Sequence, residues 1–290
     1  MNPDPKAYND NNDAQRKGAE NLFAIITKDL GTFPKFETVI DIGCGSGNVT
    51  LDFLQIAKCN QLIAFDKNET MVNFARENNK SNEINYEVAD ISEDFEKLKS
   101  DINLTNEADL VFSVYCLHWV EDKAKVFNNI SQLLKPGGKC YLLFLYGSDL
   151  FTYQDQFIQG SKWSKYFPNY NEMIYSVAPF YKHLHSNVED IKNNWKKTLE
   201  TLGFTDCRII IDDEKYFFKE FSVFMGAIES VCHLNHFVPI PEREEFLKDN
   251  FEFLRVNYNT NYECDKDEYE LRYQYCIITA EKMKTTIKEL

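Results

Sequence analysis

The sequence predicts an α/β fold, a mostly parallel sheet of seven strands with helices on both faces, and three observations predict it. Residues 38–42, TVIDI, are a β-branched run ending in a glycine turn, and the segment from Asn48 to Lys58 then carries apolar residues at roughly helical spacing. The same alternation of strand and helix repeats through the first half of the chain. Lys135-Pro136-Gly137-Gly138 stops the last of these helices, since proline disfavours continuation and glycine supplies the turn.

The elements follow in order. After the first strand and helix come QLIAFD (61–66) as strand, Glu69 to Asn78 as helix, INYEV (84–88) and ADLVFSV (108–114) as strands, Lys123 to Leu134 as helix, and KCYLLFLY (139–146) as strand. Strands alternating with helices of this length imply parallel strands joined by crossovers. Beyond Gly147 the chain is dense in aromatics and shows no clear strand until CRIIID (207–212) and YQYCIIT (273–279), which suit an antiparallel edge of the same sheet. Phe217 to Val256 reads as helices broken at Pro239-Ile240-Pro241. One domain is therefore expected: an N-terminal helical lid (1–33), a ligand-binding core (34–146), helical cap insertions (147–200 and 216–270) and two terminal strands (206–213 and 272–280).

Composition narrows the class. The chain has 290 residues, 43% of them hydrophobic, enough for a sizeable core. With 32 basic residues against 46 acidic ones the net charge is −14, so the surface repels a phosphate backbone, and neither nucleic acid nor an anionic membrane is an expected partner. The polar start MNPDPKAYNDNND has no apolar export segment, and the longest apolar stretch, around Ala108 to Val120, falls short of the ~20 residues that cross a bilayer. A cytoplasmic protein is expected. Its eight cysteines form no C-x-x-C pair and read as free thiols in a reducing compartment. His183 with His185 and His233 with His236 lack the neighbouring ligands of a zinc site, so they read as loop or surface histidines and no metal is predicted.

The chemistry concentrates at the turn Asp41-Ile42-Gly43-Cys44-Gly45-Ser46-Gly47, where glycines let the backbone approach a ligand without Cβ obstruction. Asp66 closes the second strand, where a carboxylate accepts both hydroxyls of a ribose, and Asp90 follows the third, where one accepts an adenine amino group. A nicotinamide dinucleotide needs Gly-x-Gly-x-x-Gly, whereas the third glycine here is Gly47 and position 48 is Asn. Asp41 is ill-suited to a pyrophosphate and suits a ligand carrying an ammonium group.

This pattern, with LLKPGG before a strand, resembles the class I methyltransferases that use S-adenosylmethionine, over roughly residues 38 to 146. The resemblance implies a Rossmann-like fold, with Asp41 near the methionine moiety and Gly43, Cys44 and Gly45 beneath the cofactor. It also implies Asp66 on the ribose, Asp90 and the Ile91 amide on the adenine, and Lys67 and Ser113 beside them. Tyr8, Asn12 and Gln15 (Y-x-x-x-N-x-x-Q) and Cys116-Leu117-His118-Trp119-Val120 further resemble the insect juvenile hormone acid methyltransferases, across the whole chain. In that family a glutamine and a tryptophan at these places hold the substrate carboxylate, which implies Gln15 and Trp119 as the catalytic pair. Asn48 departs from that family's pattern, which has Asp there.

Chemistry agrees with that carry-over. A carboxylic acid is ionised at neutral pH and attacks a sulfonium methyl without a general base; it needs orientation and loss of water. The Gln15 amide and the Trp119 indole N–H each give one hydrogen bond. The expected partner is a small apolar carboxylic acid such as farnesoic or juvenile hormone acid, and a homodimer is left open. Tyr8, Asn12, His118, Trp163 and Phe224 are candidate substrate contacts. The aromatics from Phe151 to Tyr181 and from Phe217 to Met225 suit a lid over a long apolar substrate and suit core packing equally. Two other readings stand beside this one: a methyltransferase with a hydroxyl or amine acceptor and His118 as base, and a catalytically silent member that binds a ligand. Trp119 as plain core packing is compatible with either.

Overall fold

The computed structural model describes residues 4–179, 182, 186–231, 234–257 and 269–284. Its centre is a seven-stranded sheet of β1 (Lys35–Ile42), β2 (Lys58–Asp66), β3 (Ile84–Val88), β4 (Ala108–Val114), β5 (Leu134–Ser148), β6 (Phe204–Phe218) and β7 (Tyr269–Lys282), in the order 3-2-1-4-5-7-6. Strands β1 to β5 run parallel, and β7 lies antiparallel between β5 and β6. The two late strands thus form the expected antiparallel edge.

Several strands run longer than expected, and two boundaries move for a plain pairing reason. The helix after the glycine turn ends at Phe53 rather than Lys58, because Lys58 and Cys59 already pair with Lys35 and Phe36 in the β1–β2 ladder. Phe217 and Phe218 do not open a helix; they pair with Glu270 and Tyr269 and end β6.

The helices among the described residues are α1 (Pro5–Asp10), α2 (Asp13–Leu30), α3 (Asn48–Phe53), α4 (Glu69–Asn78), α5 (Phe95–Asp101), α6 (Lys123–Leu133), α7 (Asp149–Gly160), α8 (Tyr170–Val177), α9 (Val188–Thr201), α10 (Phe221–Val231) and α11 (Arg243–Asn257). Alternate strand residues face opposite layers. Val39, Leu62, Leu110 and Phe112 pack with Leu22 and Ile26 of α2 and Phe53 of α3, while Ile40, Ile63 and Val111 pack with Phe127 and Ile130 of α6 and Leu199 of α9. Both faces are therefore sealed, as a parallel sheet requires. Further apolar clusters join α7, α8 and α11 around Trp163 and Phe246, and α10 with β6 and α11 around Phe224. No helix among the described residues is long and apolar enough to cross a membrane.

The strand order reverses between β1 and β4, and the connections leaving their carboxyl ends diverge there to open a crevice. One side chain steadies a wall of it. Asn129 on α6, 1% exposed, donates from its amide to the carbonyls of Ile91 (2.7 Å) and Glu93 (2.9 Å), pinning the loop that follows β3. Asn129→Ala leaves both carbonyls without that donor and should cost about 1–3 kcal/mol of stability. Urea unfolding checks this, and an unchanged midpoint would mean that the loop is held by other contacts.

Candidate active site

The glycine turn crosses the mouth of the crevice. Its backbone is tied to β2 by the amides of Gly43 (2.7 Å) and Cys44 (3.1 Å), which both donate to the Phe65 carbonyl. Gly43 has φ +76°, and a Cβ built on it would lie 2.2 Å from the Cys116 sulfur, so no other residue fits. Gly45, with φ +54°, is different: the nearest atom to its Cβ position is the Tyr8 ring at 3.7 Å. Space for a ligand lies over Gly45.

Asp66 ends β2 at that turn. Its two oxygens accept from the backbone amides of Asn68 (2.8 Å) and Gly45 (3.1 Å), which locks the carboxylate to the turn. Burial raises its pKa from the ordinary carboxylate value, against the opposing pull of those two amides. Asp90, in the loop that Asn129 pins, accepts at Oδ1 from the backbone (2.8 Å) and the hydroxyl (2.7 Å) of Ser92.

Both carboxylates line a cavity of about 810 Å³ together with Gly43, Gly45, Lys67 and Ile91. Tyr8, Gln15, His118 and Trp119 line the same cavity from the side of α1, α2 and the turn after β4. The remaining wall is largely apolar, with Leu145, Leu150, Phe151, Phe218, Ile228 and Leu271. Residues far apart in the sequence thus share one enclosure. The Gln15 amide oxygen is buried and has no hydrogen-bond partner among the described residues. Such an atom is rare in a folded protein and points to a ligand group or to an exchange of the two amide ends, which places a donor there instead. The His118 ring, 4% exposed, packs against the Trp119 ring with centroids 4.3 Å apart.

Other expected site residues lie elsewhere. Asp41 does not line the cavity: it is 2% exposed and accepts at 2.6 Å from the Thr50 hydroxyl of α3. Burial pushes its pKa up to about 7, with Thr50 opposing and Asp66 adding to the rise. Cys44 is buried in the core layer on that side, and Ser113 is buried with its hydroxyl donating to the Ile42 carbonyl at 2.8 Å. Asn12 pairs its amide reciprocally with Asn48 (3.1 and 2.9 Å), fastening the N-terminal helices to α3. Trp163 is 1% exposed in the cluster with Phe246, its indole donating to Asp249 at 2.9 Å, and Phe224 is fully buried, stacked on Tyr269. Cys44, Ser113, Asn12, Trp163 and Phe224 do not line the cavity either; they hold the scaffold around it. His183, His185, His233, Phe180 and Tyr181 lie outside the described residues.

Several lining residues had no signal in the sequence. Tyr115 is one: its φ of +49° turns the chain out of β4, and its ring approaches α2 so closely that a Cβ on Gly18 would lie 2.6 Å from it. The mid-helix glycine at position 18 was its only trace.

A family model described as a methyltransferase domain matches residues 35–203, which takes in the glycine turn, Asp66, Asp90 and Trp119. The chain belongs to the methyltransferase family. It is 30% identical over 76% of its length to the juvenile hormone acid O-methyltransferase of Bombyx mori, of which the match covers 74%. To the enzyme of that name from Drosophila melanogaster it is 26% identical, over 86% of this chain and 81% of the relative. Among solved structures it is similar to Haemonchus contortus phosphoethanolamine N-methyltransferase 2 in complex with phosphomonomethylethanolamine and S-adenosylhomocysteine, with a TM-score of 0.50 and 20% identity over 91% of this chain and 53% of the other. S-adenosylmethionine is the cofactor that the resemblance in the sequence implies.

The cradle fits that cofactor: a turn with open space over Gly45 and two anchored carboxylates able to accept hydroxyl and amino protons. Asp66→Ala in this methyltransferase should weaken S-adenosylmethionine by about 1–3 kcal/mol, with Asp66→Asn milder because its amide oxygen still accepts. Calorimetric affinity equal to wild type in the alanine variant would place the ribose elsewhere.

Proposed function

We propose that this methyltransferase transfers its methyl group to the carboxylate of a small apolar acid, such as farnesoic or juvenile hormone acid, giving the methyl ester. The observation that carries this reading is the buried Gln15 amide oxygen, without a hydrogen-bond partner among the described residues, in a cavity that Trp119 also lines and whose remaining wall is largely apolar. The similarity to two juvenile hormone acid O-methyltransferases supports it.

Bound S-adenosylmethionine supplies a methyl group activated on a sulfonium. In the reading proposed here, Asp66 holds the ribose and Asp90 with the Ile91 amide holds the adenine, next to Lys67. Gly43 and Gly45 form the floor, with Cys44 and Ser113 buried beneath it, and Asp41 acts on the ammonium group from behind the turn. Gln15 and the Trp119 indole donate to the acid's oxygens and leave a lone pair facing the methyl group. No residue needs to remove a proton, because the acid arrives ionised. Leu150, Phe151 and Phe218 exclude water, which favours the step, since an anion and a sulfonium become neutral products. Two neutral donors orient the carboxylate without the ground-state stabilisation an arginine would add.

Incubation with methyl-labelled S-adenosylmethionine and a panel of apolar acids tests the reading. Label should appear in an alkali-labile ester. Label found only in alkali-stable product would favour a hydroxyl or amine acceptor, and with it His118 as base.

The pH profile is a second check. The rate should fall on the acid side as substrate protonates and stay flat through neutral pH. A rate that follows an ionisation near ~6.5, the ordinary histidine value, and disappears in His118→Ala would overturn the base-free scheme.

Gln15→Ala and Trp119→Phe should each lower kcat/KM by about 1–3 kcal/mol while leaving cofactor affinity nearly unchanged. Because the two donors share one carboxylate, the double variant should lose less than the sum of the singles. Wild-type turnover in both single variants would sink the carboxylate clamp while leaving the methyltransferase fold intact.

A further inference from the structure

Lys123 is the first residue of α6, three positions beyond the turn that carries Trp119, and it is 7% exposed. Its ammonium donates to the Val120 carbonyl and lies 5.9 Å from the centre of the Phe144 ring. No carboxylate among the described residues forms an ion pair with it. The two nearest in sequence are engaged elsewhere: Glu121 pairs with Lys182, and Asp122 caps α6 by accepting from the Lys125 amide at 2.9 Å.

Three local costs meet at this ammonium. It is buried, it sits at the positive end of a helix, and no carboxylate among the described residues forms an ion pair with it. An arrangement this costly calls for a compensating charge, and the cavity is where one arrives. Val120, Trp119, His118 and Cys116, which form the turn in front of Lys123, all line the cavity.

We propose that Lys123 is a positioning residue for methyl transfer: it holds the Cys116–Val120 turn through the Val120 carbonyl and supplies the positive potential that makes the cavity prefer an anionic acceptor over a neutral one. This rests on the carboxylate reading given above. Lys123 does not line the cavity and acts through the turn and through its field.

The groups facing the ammonium are the Cys116 thiol after β4, the Cys276 thiol of β7, and Asp122 and Glu121 on its own segment; Lys192 of α9 also acts on Cys276. His118 shares the turn. Burial lowers the Lys123 pKa to about 8, with those four groups opposing. The ammonium is therefore present below that pH and lost as pH rises through it. A neutral amine still donates to Val120, so raising the pH removes the charge while keeping the turn.

The test uses the full chain with farnesoic acid as substrate, and methyl farnesoate, its neutral product, as competitive inhibitor. Lys123→Gln should raise KM for the acid about tenfold and leave the inhibition constant of the ester and the affinity for S-adenosylhomocysteine within about twofold. Lys123→Arg, which keeps the charge, should restore the preference for the acid. In the wild type, the ratio of acid to ester affinity should fall as pH rises through about 8 and stay flat in Lys123→Gln. Equal weakening of acid and ester in Lys123→Gln would reduce Lys123 to a structural role and overturn the proposal. Should that variant not fold, a wild-type ratio that is constant across the same pH range overturns it. Wild-type protein that forms no ester from any acid refutes the carboxylate reading itself, a separate and earlier result.

Discussion

The contact between Gly43 and Cys116 is the constraint on which the site depends. A Cβ at position 43 would sit 2.2 Å from the Cys116 sulfur, so the loop leaving β1 and the loop leaving β4 touch backbone to side chain. These strands are neighbours at the place where the sheet order reverses, the geometry that opens a crevice in such sheets. On one side of the contact stand Asp66 and Asp90, both lining the cavity. On the other stand His118 and Trp119. A single residue without a side chain lets the part of the crevice suited to a cofactor and the part suited to an acceptor share one enclosure.

Charge is divided across that enclosure. Asp41, Asp66 and Asp90 lie on the side of β1 to β3, where burial raises the pKa of the first two and where a positively charged, hydroxyl-rich ligand is complementary. Among the described residues Lys67, next to Asp66, is the lysine that lines the cavity, and the buried Lys123 stands behind the Trp119 turn. In the proposed reading this arrangement surrounds the sulfonium and the acid. It is local, since the chain as a whole carries −14. Water excluded by the apolar wall would otherwise screen such a division.

What the sequence made legible follows from how local each signal is. The glycine turn, Asp66 and Asp90 sit at fixed offsets from strand ends, so short patterns found them, and Gln15 and Trp119 came from resemblance because neither is distinctive in its own neighbourhood. Residues whose role comes from tertiary contact were misplaced or missed. Trp163 and Phe224 look like lid residues in an aromatic-rich stretch, yet their surroundings turn them into the centres of two helical clusters. Tyr115 and Lys123 left almost no trace, because a left-handed backbone and a buried, ion-pair-free ammonium are properties of packing. Strand lengths were underestimated for the same reason: Phe217 and Phe218 are strand only because Glu270 and Tyr269 lie opposite them.

The departure at position 48 shows how such a site tolerates change. Asn48 both donates to and accepts from Asn12, and its oxygen also accepts from the Val49 amide at 2.9 Å. An aspartate there could accept but not donate, so it would leave the Asn12 oxygen without its partner and add a charge to the junction. The amide keeps the N-terminal helices fastened to α3 without that charge. Arg16 gives the same junction a second tie, with two hydrogen bonds to Asp52 of α3 at 2.9 and 3.1 Å, on a more exposed face. Gln15 lies between these two ties in sequence. Its amide is held in the cavity by the backbone of α2, which the fastenings at positions 12 and 16 set against the glycine turn, and its buried oxygen is left for a ligand.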